Sequence, residues 1–287
     1  MHSHNKKVLI AGYTGFIGSH LIKEMKADNS ITIIPLSRSN GFDLAGDPKI
    51  FDIECDVIVN LAGVVGIDRS WKEPKDFYKD NYLTTLNLLE LARKNSASIV
   101  HISSYVYGVP QYLPVDEKHP IQGYNPYASS KILSEELCKD YGRYYDIPVT
   151  ILRPFNVYGT NQSSQFLLSR LIDSAINGNN VDIHDMSAKR DYLWVEDLAH
   201  GISKVVSNQK KGVNIYNIGS GISHSAKEAI DIITSKSSNP NYSIIGRDSS
   251  LLVNDCVCDY SLFSRDYMWH PKVSLEEGLS RMINHLK

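Results

Sequence analysis

Val8-Leu9-Ile10-Ala11-Gly12-Tyr13-Thr14-Gly15-Phe16-Ile17-Gly18 decides the fold. Four apolar residues in a row predict a short buried strand, and beyond the glycines Leu21, Ile22 and Met25 recur at helical spacing. A strand, a glycine turn and a helix in that order form a phosphate cradle. The glycines at i, i+3 and i+6 supply a tight turn, close backbone approach to a pyrophosphate, and close packing of helix on strand. The spacing is a variant of the usual G-x-G-x-x-G. Gly12, Thr14, Gly15, Phe16, Ile17 and Gly18 are therefore candidate dinucleotide-binding residues.

Outward from this stretch, strands and helices alternate. Strands are predicted at Ile31–Leu36, Asp56–Gly63, Ser98–Ser104 and Val149–Arg153, the last closed by Pro154, with helices at Asp76–Lys94 and Tyr127–Tyr145. That alternation predicts an α/β fold, a doubly wound parallel sheet of the Rossmann kind with right-handed crossovers. The rhythm loosens beyond Gly159. A helix is expected at Gln165–Asn177, a short strand at Val181–His184, a helix near Ser225–Lys236, a strand near Leu252–Cys258 and a last helix from Leu275. The expected division is a dinucleotide-binding domain over 1–160, to which about 190–220 returns, and a smaller C-terminal α/β substrate lobe over 161–189 and 221–287. No internal repeat or low-complexity tract interrupts it.

In open α/β sheets ligands bind at the carboxyl ends of the strands, and the residues there carry the chemistry. The second strand ends in Ser37-Arg38-Ser39, and an arginine there accommodates a 2′-phosphate where an acidic residue would bind the ribose hydroxyl. NADP(H) is expected over NAD(H). Asp43 and Leu44 suit the edge of an adenine pocket, and Leu61, Ala62 and Gly63 leave room for a ligand after the third strand. Ser103 and Ser104 close the fourth strand. Tyr127 and Lys131 lie four apart on one helix, so both side chains project from one face. A nearby ammonium would lower the phenol pKa and let Tyr127 exchange a proton with a substrate hydroxyl or carbonyl.

Composition excludes other classes. A formal charge of −2, with the basic residues scattered, gives no footprint for nucleic acid. No apolar run approaches the ~20 residues of a membrane helix, and the polar residues around His2 and His4 are no signal segment, so a cytoplasmic protein is expected. Cys256 and Cys258 form a C-x-C without a second C-x-x-C or paired histidines, which argues for reduced thiols and no metal.

Together these motifs resemble, in family order and almost from Val8 to Ile283, an extended short-chain dehydrogenase/reductase of the NAD(P)-dependent nucleotide-sugar epimerase, dehydratase and reductase superfamily. The glycine turn, Asn60-Leu61-Ala62-Gly63, Asn81, Ser103-Ser104 with Tyr107-Gly108, Tyr127-x-x-x-Lys131, and Arg153-Pro154-Phe155-Asn156-Val157-Tyr158-Gly159 carry the resemblance. Arg190-Asp191-Tyr192, Asn217-Ile218-Gly219-Ser220-Gly221 and the closing Trp269-His270-Pro271 extend it. It implies Tyr127 as general acid/base, Lys131 on the ribose hydroxyls, a serine on the reacting oxygen, Asn81 and Pro154 beside the cofactor, and Asn156 and Arg190 on a nucleotide-sugar substrate. Spacing from the strand favours Ser104 and spacing from Tyr107-Gly108 favours Ser103, and Ser104 is the expectation.

The departures narrow the activity. Tyr105-Val106 stand where the resembling dehydratases carry Asp-Glu, and Leu251-Leu252-Val253-Asn254-Asp255 lacks the arginine usual on the diphosphate, which leaves Arg190 as the expected diphosphate ligand with Arg247 a weaker second. The expected activity is an NADPH-dependent reductase of a nucleotide-linked 4-keto-6-deoxy sugar. The alternatives are an NAD-dependent nucleotide-sugar 4-epimerase and a non-catalytic NADP-sensing protein, against which the intact Tyr127 and Lys131 argue. The resemblance also implies a homodimer.

Overall fold

The first strand, β1 (Lys6–Ala11), runs into the glycine turn and then α1 (Phe16–Met25), as the apolar spacing requires. The chain continues through β2 (Ile31–Leu36), β3 (Val57–Asn60), α2 (Ile67–Lys72), α3 (Pro74–Asn95), β4 (Ser98–Ile102), α4 (Pro126–Tyr144) and β5 (Val149–Pro154). The computed structural model describes residues 5–46, 48–183, 185–237, 244–246 and 253–286. His2, His4, His184, Arg247, Leu251 and Leu252 lie outside the described residues.

Beyond β5 come β6 (Asn156–Tyr158), α5 (Leu167–Asn177), β7 (Val181–Ile183), β8 (Lys189–Trp194), α6 (Val195–Ser207) and β9 (Val213–Ile218). They are followed by β10 (Ser223–Ser225), α7 (Ala226–Lys236), β11 (Ile244–Gly246), α8 (Ser261–Tyr267) and α9 (Leu275–Leu286). Among the described residues the main sheet has the order β2-β1-β3-β4-β5-β9. The pairs β1–β2, β1–β3, β3–β4 and β4–β5 are parallel. Every residue of β3, β4 and β5 is buried, as expected of strands covered by helices on both faces.

Two compact units result. One takes in the chain up to Tyr107, Pro120–Pro154 and Ala199–Tyr216, and the other Gly108–His119, Phe155–Leu198 and the chain from Asn217. The division thus falls at Pro154 rather than near residue 160, Gly108–His119 joins the second unit, and β8 lies there instead of returning. The first unit is cored by residues such as Leu9, Ile58, Leu88, Ile99 and Ile151. The second packs Tyr158, Leu171, Ile172, Trp194, Ile233 and Leu279 together, with a three-stranded sheet β10-β8-β6 and a pair β11-β7.

The strand expected near Leu252–Cys258 is corrected. Between Val253 and Cys258 the only ladder contact among the described residues is an isolated bridge from Cys258 to Val115. The reason lies in the backbone partners: the Cys258 amide donates to the buried Asp191 carboxylate and Val257 offers its carbonyl to the Val115 amide. The same carboxylate accepts from the amides of Ser220 and Gly221 and from the Ser220 hydroxyl. Asp191 is thus the anchor of its loop cluster in the second unit.

Candidate active site

The glycine turn is as tight as its spacing predicts. Gly12 has φ of +83°, a conformation that side chains disfavour, and a Cβ on it would stand 2.8 Å from the Ala62 amide nitrogen. A Cβ on Gly18 would meet the Gly12 carbonyl at 2.4 Å, so α1 packs directly on the turn. Gly15 caps α1 without a side-chain hydrogen bond, leaving its first amides for an anion. Thr14 is exposed on the turn, with Phe16 and Ile17 half-buried at the head of the helix. This cradle fits a dinucleotide pyrophosphate.

Facing it is the edge Leu61-Ala62-Gly63. A Cβ on Gly63 would fall 2.6 Å from Asn81 Oδ1 and 3.7 Å from Lys131 Nζ, so the edge is pressed against both residues. Asn81 accepts from the Val64 amide at 2.7 Å and donates to Ser130 Oγ at 2.8 Å, and Ser130 donates in turn to the Tyr127 carbonyl. One buried amide therefore ties the ligand-facing edge to the turn that bears the tyrosine. Beneath it, Asn60 Oδ1 accepts from the Ala62 amide and Asn60 Nδ2 donates to Thr85 Oγ1.

Asn125 caps α4 by accepting from the Ala128 amide, and Pro126 takes the first helical position, where its missing N–H costs nothing. This presents Tyr127 and Lys131 as their spacing predicts. The Ser104 hydroxyl hydrogen-bonds the Tyr127 phenol. Phe77 meets the tyrosine ring edge-on, with ring centroids 6.1 Å apart. Lys131 Nζ donates to the Ile102 carbonyl at 2.8 Å.

The electrostatics correct one expectation. Burial holds the Tyr127 phenol above its ordinary value, opposed by the Ser104 hydrogen bond and reinforced by Tyr124, whereas a lowered pKa was expected from Lys131. Burial also brings Lys131 down to about 8, with Glu135 acting the other way. The ammonium that was to favour the phenolate is itself desolvated and bound to a backbone carbonyl.

A pH dependence follows. Lys131 binds its proton more weakly folded than unfolded, so between about pH 8 and its ordinary 10.5 the unfolded chain holds more protons and stability rises with pH. The difference in urea midpoint between wild type and Lys131→Met should change in that window in the sense that wild type gains. A pH-independent difference would contradict the burial of the ammonium.

The two candidate serines separate. Ser103 Oγ donates to Glu135 inside a fully buried cluster. There Arg153 Nε donates to Glu135 at 3.0 Å, its Nη2 closes a second bond to the same carboxylate, and its Nη1 donates to the Tyr107 hydroxyl at 2.9 Å. Ser103 is thereby engaged beneath the site, and Ser104 faces the tyrosine.

Among the other candidates, Leu44 packs into the core of the first unit and Pro154 is buried at the end of β5. Arg38 is two-thirds exposed, with Nη2 donating to Asp80 at 2.6 Å and Nε 3.7 Å from Asp43. In the second unit Asn156 donates weakly to the Asp191 carbonyl, and Arg190 Nη1 donates to the Lys189 carbonyl. Sequence reasoning missed Glu135 and Asp80. Glu135 stands four residues after Lys131 and signals itself only as a carboxylate on the inner helix face, while Asp80 is 42 residues from its arginine. Among the described residues no cluster of His, Cys, Asp and Glu could hold a metal ion, and no helix is long and apolar enough to cross a membrane.

The chain matches the profile of the NAD dependent epimerase/dehydratase family over residues 8–219. It is 32% identical to a candidate UDP-glucose 4-epimerase of Methanocaldococcus jannaschii, with 98% of each chain covered. Its fold superposes on RMD from Pseudomonas aeruginosa, solved with NADPH, with a TM-score of 0.88 at 24% identity over 97% and 98% of the two chains. It superposes equally on the Thermus thermophilus UDP-glucose 4-epimerase, solved with NAD, with a TM-score of 0.86 at 24% identity over 97% and 98%.

Proposed function

The chain belongs to the NAD-dependent epimerase/dehydratase family, and we propose that within it the protein is a nucleotide-sugar 4-epimerase that retains NAD. The carrying observation is the engagement of Arg38 by Asp80, which removes the motive for expecting NADPH. Gly12, Gly15 and Gly18 would hold the pyrophosphate, Lys131 would hold the ribose, and Ala62 and Gly63 would border the nicotinamide side. Bound NAD supplies a reversible hydride acceptor for the sugar carbon. A phenol kept protonated at neutral pH donates to an alkoxide, and its phenolate is strong enough a base to take the proton back. Tyr127 thus serves both directions of a reversible exchange, with Ser104 steadying the oxygen.

The reductase of a 4-keto-6-deoxy sugar is the second reading, favoured by the exposure of Arg38 beyond β2. Asn156 and Arg190 belong to the proposal as substrate residues, and a homodimer through α3 and α4 is part of it, since Tyr78, Leu133 and Tyr144 on those helices are exposed.

The test is to release and identify the nucleotide that co-purifies, and to incubate the protein with UDP-glucose and UDP-galactose. Retained NAD and interconversion without net redox change are expected. Nucleotide-free protein that consumes NADPH in proportion to an added keto sugar would establish the reductase instead.

A further inference from the structure

We propose that Asp80 selects the dinucleotide: by occupying Arg38 it makes the adenosine end of the cradle reject a 2′-phosphate. The inference rests on the dinucleotide-binding reading of the glycine turn and not on epimerase activity.

Arg38 stands where a 2′-phosphate would be met. Its turn is closed by hydrogen bonds from the Ser37 amide to Asn40 Oδ1 and from the Gly41 amide to the Arg38 carbonyl, with Gly41 left-handed at φ of +90°. The base of the side chain is therefore fixed. Its guanidinium makes a 2.6 Å charge-assisted bond to Asp80 and lies 3.7 Å from Asp43, so one cation serves two carboxylates. The local sum is a single negative charge. Asp80 is only 17% exposed and is carried on α3, immediately before the Asn81 that pins the ligand-facing edge.

A 2′-phosphate, with close to two negative charges, has two ways to use this arginine. Sharing the guanidinium with Asp80 places phosphate beside carboxylate. Displacing Asp80 leaves a half-buried carboxylate without its cation. A ribose 2′-hydroxyl meets neither obstacle, since it is neutral and can donate to a carboxylate. The arginine that marks NADP in the sequence is thus counteracted by an acid contributed from another element.

The experiment is competition between NADPH and NADH on the full chain, measured by equilibrium dialysis for wild type, Asp80→Asn, and Asp80→Asn with Arg38→Ala. Wild type should favour NADH. Asp80→Asn should raise the NADPH-to-NADH affinity ratio roughly ten- to hundredfold, the range for a charge-assisted bond, with NADH affinity kept. The double variant should lose that gain. A wild type that favours NADPH, an unchanged ratio in Asp80→Asn, or a gain that persists without Arg38 would each overturn the proposal. Should Asp80→Asn lose NADH binding, Asp80→Ser repeats the comparison, and loss in both would assign Asp80 to the fold and overturn the selection. A chain that prefers NADH yet interconverts no sugar would leave this inference standing and remove the epimerase.

Discussion

Replacement of Tyr127 with Phe is expected to slow turnover by about 10²- to 10⁴-fold, the usual contribution of a positioned acid/base, while dinucleotide binding persists. The ring of Tyr127 is held by Phe77 and its backbone carbonyl by Ser130, and neither contact uses the hydroxyl. Removing that oxygen therefore deletes the proton carrier and its hydrogen bond with Ser104, and leaves both of those contacts in place. Turnover can be followed as sugar interconversion, with dinucleotide affinity measured on the same preparation. Retained turnover would exclude Tyr127 as the acid/base. Ser104→Ala should weaken turnover less, because it removes a hydrogen bond to the phenol rather than the exchangeable proton.

The largest effect on stability is expected at Glu135. Its carboxylate is fully buried and accepts from both Nε and Nη2 of Arg153 and from Ser103, so Glu135→Ala leaves an arginine that is 1% exposed without a counter-charge. Breaking such a buried pair from one side costs about 3–5 kcal/mol. Urea unfolding should show that loss, whereas the double replacement Glu135→Leu with Arg153→Met, which removes both charges, should recover much of it. A single-variant loss below about 1 kcal/mol, typical of an exposed pair, would mean that the charges are hydrated in solution. The cluster also reaches Tyr107, so its loss should loosen the carboxyl end of β4, where Ser104 stands.

What could be read from the chain was what repeats locally. The glycines at 12, 15 and 18 announce their turn because three backbone constraints fall within seven residues, and β3 announces burial on both faces by its nearly continuous apolar run. The pairing of Tyr127 with Lys131 was legible for the same reason. Their electrostatics were not, because the sign of the phenol shift depends on how much water the fold removes, and Lys131 turned out to spend its charge on the Ile102 carbonyl. The cofactor reading of Arg38 was limited in the same way, since its partner Asp80 comes from a distant helix. Ser103 and Ser104 could not be told apart by spacing, yet Glu135 claims one and Tyr127 the other. The segment 253–258 looks like a strand by composition and is bound chiefly through a carboxylate and single bridging contacts.

The interleaving of the two units has a consequence for any attempt to divide the gene. The first unit draws its last segment, Ala199–Tyr216, from beyond the Gly108–His119 and Phe155–Leu198 segments of the second. A fragment ending at Pro154 would carry the glycine turn, the tyrosine and the lysine, yet lack β9, the neighbour of β5 in the sheet. It would expose β5, a strand buried at every residue, as an open apolar edge whose unpaired amides and carbonyls, beginning with the Val149 amide that Gly212 now satisfies, would recruit other chains. Such a fragment holds most of the chemistry and is destined for aggregation.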